Sequence, residues 1–189
     1  MIDANLLREL IVSIAYNDDT AAYKKLFLLY HKRLLNFSIT ITHSKQSAEE
    51  VVSDVFMKLW SNRNLLPSIE NFHLYIYIAT KNFSINSVLK EKKRESFSLD
   101  EAAVDTQNMY CNPEELMITT EMQKRIQSAI KALPPKCQLI FKLIREDGLK
   151  YKEVAELLNL SLKTIENQMT IALKKISESI RFDLSRTMN

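Results

Sequence analysis

Apolar residues recur every three to four positions along most of the chain, the spacing of one face of an α-helix. In residues 148–175, GLKYKEVAELLNLSLKTIENQMTIALKK, two such faces follow one another. The pattern therefore predicts two amphipathic helices, each with one buried face. The apolar positions of the first and then the second helix are Tyr151, Val154, Ala155, Leu158, Ile165, Met169, Ala172 and Ile176.

A tight turn separates these two helices at Asn159-Leu160-Ser161. Asn tolerates left-handed backbone well, and the Ser161 side chain can accept a backbone N–H from the next helix. Such a pair is typical of a helix-turn-helix DNA reader, although two ordinary core helices are the alternative. The outward face of the second helix carries polar side chains suited to bases or phosphates: Lys163, Thr164, Glu166, Asn167 and Thr170.

The same spacing predicts three helices upstream. One covers Ala21–Phe37, a second begins at Ser47, and the third covers Asn71–Arg94. Ser47 and Glu50 have the spacing of a capping box, in which each side chain bonds the other residue's backbone N–H. The second helix has a continuous apolar stripe at Ala48, Val51, Val52, Val55, Phe56 and Leu59.

The opposite face of the second helix is polar and partly acidic. Such a face is either a solvated surface or a docking surface for a basic partner helix. The residues predicted to form it are Glu49, Glu50, Ser53, Asp54, Met57 and Lys58.

The third helix contains both aromatic and basic residues. Its aromatic residues cannot all face one core, since Tyr75 and Tyr77 are two positions apart. Exposed rings can stack on unpaired bases while cations follow the phosphates, although core aromatics plus a basic helix end are the alternative. The residues considered for nucleic-acid contact are Phe72, Tyr75, Tyr77, Lys81, Asn82, Phe83, Lys90, Lys92, Lys93 and Arg94.

An acidic segment without helical periodicity divides the chain. We expect residues 4–94 to form one domain, residues 95–112 a flexible linker, and residues 113–183 a second domain. Gly148 is expected to end a helix. The helices expected in the second domain cover Pro113–Lys131, Pro135–Asp147, Tyr151–Leu158 and Leu162–Arg181.

Composition favours an all-α protein of two small helical domains. The 189 residues include one Gly and four Pro, too few for a β-rich protein or a Gly-rich phosphate loop. The scattered histidines show no metal-ligand spacing, so neither metal nor cofactor is expected. Cys111 and Cys137 are expected to be reduced thiols of a cytoplasmic protein, because neither a secretory signal nor a membrane-spanning run is evident.

Charge is distributed in blocks. The net charge is +3, with five Lys/Arg and no acid in residues 21–46. Residues 96–120 hold five acids and no base, and residues 121–145 hold six bases and one acid. The alternation is consistent with contacts to both nucleic acid and basic protein surfaces, or with solvated faces.

Three motifs in order resemble one family, the bacterial extracytoplasmic-function (ECF) sigma factors of the sigma-70 superfamily. AEEVVSDVFMKLW (Ala48–Trp60) and NFHLYIYIATKN (Asn71–Asn82) are similar to successive helices of the family's region 2. Residues Ala132–Ile176, from LPP through the helix-turn-helix, are similar to its region 4. Members from Bacteroidetes show the closest resemblance.

The resemblance implies a role for each surface. Residues 49–58 would dock on the largest subunit of core RNA polymerase, whose second-largest subunit also binds such factors. The third helix would open the minus-ten element of the promoter and hold an extruded base, through Asn71, Phe72, Tyr75, Lys81 and Asn82. The minus-thirty-five element would be read by Arg145, Lys163, Thr164, Glu166, Asn167, Thr170 and Lys174. The acidic linker would lie in the RNA exit path.

The expected function is therefore promoter-specific transcription initiation, without enzymatic activity or a small-molecule substrate. The resemblance also implies control by a cognate anti-sigma factor, often membrane-associated, which Phe27, Tyr30 and the residues of the docking face would contact. Lys150 stands where the family often has Ser, which predicts a poorly capped first reading helix. The alternative function is a helix-turn-helix regulator that binds DNA without docking on polymerase.

Overall fold

The chain, known here from a computed structural model, is described over residues 3–97 and 121–187, with side chains over 3–93 and 125–179. These residues form α-helices and one 3₁₀ helix, Arg63–Ser68, without a strand, which confirms the all-α prediction. The helices are α1 Ala4–Asn17, α2 Thr20–Thr42, α3 Lys45–Ser61, α4 Phe72–Phe97, α5 Glu121–Lys131, α6 Pro135–Arg145, α7 Tyr151–Leu158 and α8 Leu162–Thr187.

The helices belong to two compact units, described separately below. In the first unit α2 packs on α1, α3 and α4, and α1 also packs on the 3₁₀ helix. The stripe predicted for α3 is confirmed, because all six of its apolar side chains are buried. The largest side chains with no more than 1% exposure in this core are Tyr30, Tyr77, Ile14, Leu26, Leu34, Leu66 and Ile76.

A sharp turn joins α1 to α2. Asp18 adopts a left-handed conformation with φ 51°, and Asp19 caps α2. The Asp19 carboxylate accepts the backbone N–H groups of Ala21 and Ala22, each at 2.9 Å, and the Ser13 hydroxyl at 2.8 Å. These bonds to the ionised form, first among them that from Ala22, hold the pKa of Asp19 below its ordinary value.

Asp19→Asn is expected to make stability less sensitive to acid. Because the folded-state pKa of Asp19 is lowered, its carboxylate stabilises the fold above the ordinary aspartate pKa, and this contribution disappears as pH falls through the folded-state pKa. Asn retains a capping oxygen but does not titrate. Lowering the pH from neutral to about 3 should lower the thermal unfolding midpoint of the wild type more than that of the variant. Equal acid sensitivity, with exposed Glu9→Gln as control, would contradict this role.

Three predictions in the first unit were wrong in detail. Helix α3 begins at Lys45, because the Ser44 side chain accepts the Ser47 N–H at 3.2 Å, so Ser47 lies inside the helix and forms no capping box with Glu50. Helix α2 continues to Thr42, five residues beyond its expected end at Phe37. Helix α4 continues to Phe97, beyond the expected start of the linker, and residues 98–112 lie outside the described residues.

The second unit contains α5–α8, with α8 packed against each of the other three helices. The helix expected at 113–131 is described from Glu121, and residues 113–120 lie outside the described residues. Helix α6 ends at Arg145, two residues before the expected end. Gly148 follows at φ 85°, a left-handed conformation that favours glycine, as expected of a residue that ends a helix.

A buried thiol connects α6 to α8. Cys137 is fully buried, and its Sγ–H donates to the backbone carbonyl of Gln168 at 3.2 Å. Burial raises the pKa of the Cys137 thiol above its ordinary value, so it stays protonated at neutral pH. Cys137 is therefore a core residue rather than a reactive one, while Cys111 lies outside the described residues.

Candidate functional surfaces

The outer face of α3 is accessible to solvent along its whole length. All six residues predicted for a docking surface, at positions 49, 50, 53, 54, 57 and 58, are exposed, while the opposite stripe is buried. Met57 is 61% exposed between charged neighbours, although Met is ordinarily a core residue. A single exposed apolar side chain is common on protein surfaces, so Met57 supports a protein interface only together with Tyr23 and Trp60, which line the same depression.

An open depression adjoins the end of this face. It has a volume of about 390 Å³ and is lined by Thr20, Tyr23, Met57, Trp60 and Ser61. The Tyr23 hydroxyl donates to the Phe56 carbonyl at 2.6 Å, and burial raises the pKa of Tyr23 to about 12. The wall of the depression is therefore held in place by a hydrogen bond and can receive an apolar side chain.

Helix α4 divides its aromatic residues between the core and the surface. Asn71 caps the helix by accepting the Leu74 N–H at 3.1 Å, and Tyr75 remains 38% exposed. Phe72 is only 4% exposed and packs edge-on against Tyr30, with ring centroids 5.8 Å apart. The structure therefore places Phe72 in the core, where it supports Tyr75 at 6.3 Å rather than contacting a ligand directly.

The remaining candidates on α4 lie further along the helix. Lys81 is half-buried, whereas Asn82, Lys90 and Lys93 are exposed. The Arg94 side chain lies outside the described residues. One polar contact that the sequence did not predict is a 3.1 Å hydrogen bond between the Tyr30 hydroxyl and His73 Nδ1, which joins α2 to the start of α4.

Helices α7 and α8 form the predicted helix-turn-helix. Helix α7 has the predicted bounds, Asn159 is left-handed at φ 57°, and Ser161 Oγ accepts the Thr164 N–H at 3.0 Å. As expected, the Lys150 side chain makes no cap bond to α7, although Glu153 Oε2 accepts the Lys150 N–H at 2.8 Å. The predicted apolar face of α7 shifts by one residue, since Leu157 is fully buried and Leu158 half-buried.

The polar face of α8 is confirmed as a surface. Residues 163, 166, 167, 170 and 174 are exposed, Thr164 is half-buried, and the predicted buried residues 165, 169, 172 and 176 are at most 8% exposed. Lys163 and Glu166 approach to 3.9 Å, as do Lys174 and Glu178. These solvated pairs are weak, so they leave the side chains available to a partner. Arg145 is also exposed, at the end of α6.

Asn159→Ala is expected to destabilise the second unit by about 1 kcal/mol, because a Cβ in left-handed backbone is unfavourable without the Asn side chain's local hydrogen bonding. Asn159→Gly is expected to match or exceed the stability of the wild type, since Gly adopts φ 57° without strain. Urea unfolding of both variants measures the difference. Equal losses of stability in the Ala and Gly variants would show that Asn159 stabilises the fold through a side-chain contact and not through its backbone conformation.

Family comparisons match both units. The family model described as Sigma-70 region 2 matches residues 26–94, and the one described as Sigma-70, region 4 matches residues 123–176. The ECF RNA polymerase sigma-E factor of Escherichia coli is 21% identical over 184 residues, covering 93% of this chain and 95% of that protein. The chain belongs to the ECF sigma factors. Sigma factors direct RNA polymerase to promoters, so this protein acts in transcription initiation.

Other relatives of this sigma factor agree. SigW of Bacillus subtilis is 20% identical, covering 86% of the chain and 91% of its own length, and the sigma-H factor of Pseudomonas aeruginosa is 21% identical, covering 90% and 92%. The fold resembles RpoE bound to the anti-sigma factor NepR from Bartonella quintana, with TM-score 0.56, 21% identity, and coverage of 85% of this chain and 98% of that one. It also resembles CnrH bound to the cytosolic domain of CnrY, with TM-score 0.50, 17% identity and coverage of 93% and 97%.

The matched regions contain the surfaces described above. Region 2 of this sigma factor includes the outer face of α3 and most of α4, and the region 4 match ends at Ile176, the last buried residue of the α8 stripe. The roles of individual residues, the domain limits and the resemblance to Bacteroidetes members stay predictions. Among the described residues no helix is apolar and long enough to cross a membrane, and no three potential metal ligands cluster.

Proposed function

We propose that this sigma factor binds core RNA polymerase through the outer face of α3. The observation that carries the proposal is the contrast between the two sides of α3: six apolar side chains are fully buried, while an acidic face with a protruding Met57 is exposed. Carboxylates such as Asp54 steer association with a basic partner helix, and the apolar side chain supplies buried area. The largest polymerase subunit provides that partner.

Helix α4 then acts on the minus-ten element. The exposed ring of Tyr75 stacks on an unpaired base, and Asn71 and Asn82 offer amide groups to the edge of the base. The basic side chains toward the end of α4, such as Lys90 and Lys93, contact phosphates of the separated strand. Stacking and these contacts offset the few kcal/mol needed to unpair each base.

Helix α8 enters the major groove at the minus-thirty-five element. Asn167 can bond adenine through two groups, Lys163 can reach guanine, and Glu166 can accept from cytosine N4. Thr170 donates to the Glu166 carbonyl at 2.9 Å, so its hydroxyl proton is already used within α8. Arg145 and Lys174 contact phosphates on either side, and the protein performs no catalytic step of its own.

A cognate anti-sigma factor covers the docking surface in the cytoplasm when the sigma factor is inactive. The structural relative RpoE is bound to the anti-sigma factor NepR, which supports this part of the proposal. Phe27 is partly accessible and remains a candidate contact, but Tyr30 has no exposed surface. The expectation that Tyr30 contacts this partner was therefore wrong, because the ring belongs to the core.

Run-off transcription with purified core RNA polymerase tests the proposed function. A library of promoter fragments is transcribed with and without the protein. New transcripts that begin downstream of a shared two-part motif are the expected result. Duplex binding by the protein alone, without any new transcript, would instead support the helix-turn-helix regulator that does not dock on polymerase.

A further inference from the structure

The basic run at residues 90–94 of α4, the helix proposed to face the separated DNA strand, contains one acidic residue. Between Glu70 and Glu95 the only acid is Glu91, within Lys-Glu-Lys-Lys-Arg at 90–94. Negative charge near phosphates opposes binding, so a carboxylate in this run is unexpected for a DNA-facing helix. The structure shows that Glu91 is turned toward a neighbouring helix instead.

Glu91 bonds to the first turn of α3. Its Oε1 accepts the Ser47 hydroxyl at 2.7 Å, across 44 positions of sequence. Ser47 is 8% exposed and Glu91 is half-buried, whereas Lys90, Lys92 and Lys93 are exposed around it. The Ser47 hydroxyl also lies 3.1 Å from that of Ser44, the residue that caps α3. The three side chains thus form one polar cluster between α3 and α4.

The chemistry of this cluster favours a rigid joint. A hydrogen bond to an ionised carboxylate is shorter and stronger than one between neutral groups. The carboxylate also lies at the N-terminus of α3, where the helix dipole is positive. Glu91 thus brings a carboxylate from α4 to the first turn of α3, where it accepts a side-chain hydroxyl and not the backbone N–H that a capping-box acid would accept.

We propose that Glu91 is a positioning residue that fixes the basic end of α4 against the start of the polymerase-docking helix, a proposal that rests on the proposed function. Glu91 does not touch DNA. It acts through Lys90 and Lys93, which it holds at one distance from the exposed face of α3. A strand leaving the Tyr75 site then meets these cations only in the orientation that polymerase docking imposes.

Four variants test the contact between Glu91 and Ser47, with Ser68→Ala as control. Glu91→Ala and Ser47→Ala remove one partner each, Glu91→Gln keeps an acceptor oxygen without charge, and Glu91→Ala/Ser47→Ala removes both. Ser68 is exposed in the 3₁₀ helix, and its hydroxyl donates to the Leu65 carbonyl at 2.7 Å. Amide hydrogen exchange of the full-length protein at residues 44–48 and 88–93 is measured beside the rate of promoter opening with saturating core polymerase.

Glu91→Ala is expected to raise exchange in both segments and to slow promoter opening, each about tenfold, as loss of a charged hydrogen bond implies. Ser47→Ala should behave alike, and the double variant should be no worse than either single one because the two residues share one interaction. Glu91→Gln should stay within about threefold of the wild type, since neutral hydrogen bonds are roughly half as strong as charged ones.

Unchanged exchange in Glu91→Ala would overturn the proposal whatever happens to transcription. Faster exchange with normal promoter opening would do the same, because the joint would then be merely structural. Faster opening in both Glu91 variants would make Glu91 an electrostatic brake on DNA binding instead. If the wild type itself yields no transcript, the proposed function fails, while the exchange data still decide whether Glu91 joins the two helices.

Discussion

Asp54→Arg is expected to weaken binding to core RNA polymerase roughly 100-fold, which is about 3 kcal/mol. The change replaces an attraction to a basic partner helix with a repulsion at the middle of the proposed docking surface. Asp54 is exposed, and Arg is a good helix former, so the buried stripe of α3 and the fold should remain intact. Affinity is measured by titrating labelled protein with core polymerase.

Glu9→Arg is the control for this prediction, because it makes the same change of charge at an exposed position on α1. It should bind polymerase as the wild type does, while both variants retain helical circular dichroism and binding to minus-thirty-five duplex. Two outcomes are informative against the proposal. Wild-type affinity in Asp54→Arg would exclude this face as the docking surface, and equal losses in both variants would indicate only a long-range charge effect.

Periodicity predicted the buried face of α3 well because one side of that helix is apolar at every turn. It predicted the start of the helix poorly. Ser47 and Glu50 have the spacing of a capping box, but the cap is Ser44 and the acid that bonds Ser47 is Glu91. A local pattern contains no information on a partner 44 positions away, so the joint between α3 and α4 could be found only in the folded chain.

The choice of which aromatic residues of α4 become buried could not be predicted from the sequence. The sequence of α4 established that its aromatic residues cannot share one face, but not which of them the core would select. Packing against α2 buries Phe72 and Tyr77 and leaves Tyr75 at the surface. In α7 the spacing predicted Leu158 for the buried face, but packing of α7 on α8 buried Leu157 more deeply than Leu158.

The helix-turn-helix formed by α7 and α8 was predicted more completely, because its sequence signals are local. A left-handed Asn, a Ser cap and a regular apolar stripe each act within a few residues, and the structure has all three. The polar face of α8 follows by exclusion from that stripe. The pattern does not show which of the exposed side chains contact bases and which contact phosphates.

Asn167→Ala and Lys174→Ala are expected to weaken promoter binding in different ways. Asn167 is exposed near the start of α8, where it can bond a base edge, so its loss should cost about 1–3 kcal/mol at one base pair and relax the preference there. Lys174 is two turns further along. Its loss should weaken binding to all sequences alike and lower the salt slope by about one.

Binding of the holoenzyme to a minus-thirty-five library at two salt concentrations separates these effects. Lys175→Ala, which removes the same charge from a different side of α8, is the control and should leave sequence preference unchanged. A uniform loss across sequences in Asn167→Ala would show that this side chain does not read a base. A loss of preference in Lys174→Ala would show that the base-reading surface extends further along α8 than its N-terminal turns, because only a side chain that reaches the groove floor can discriminate bases.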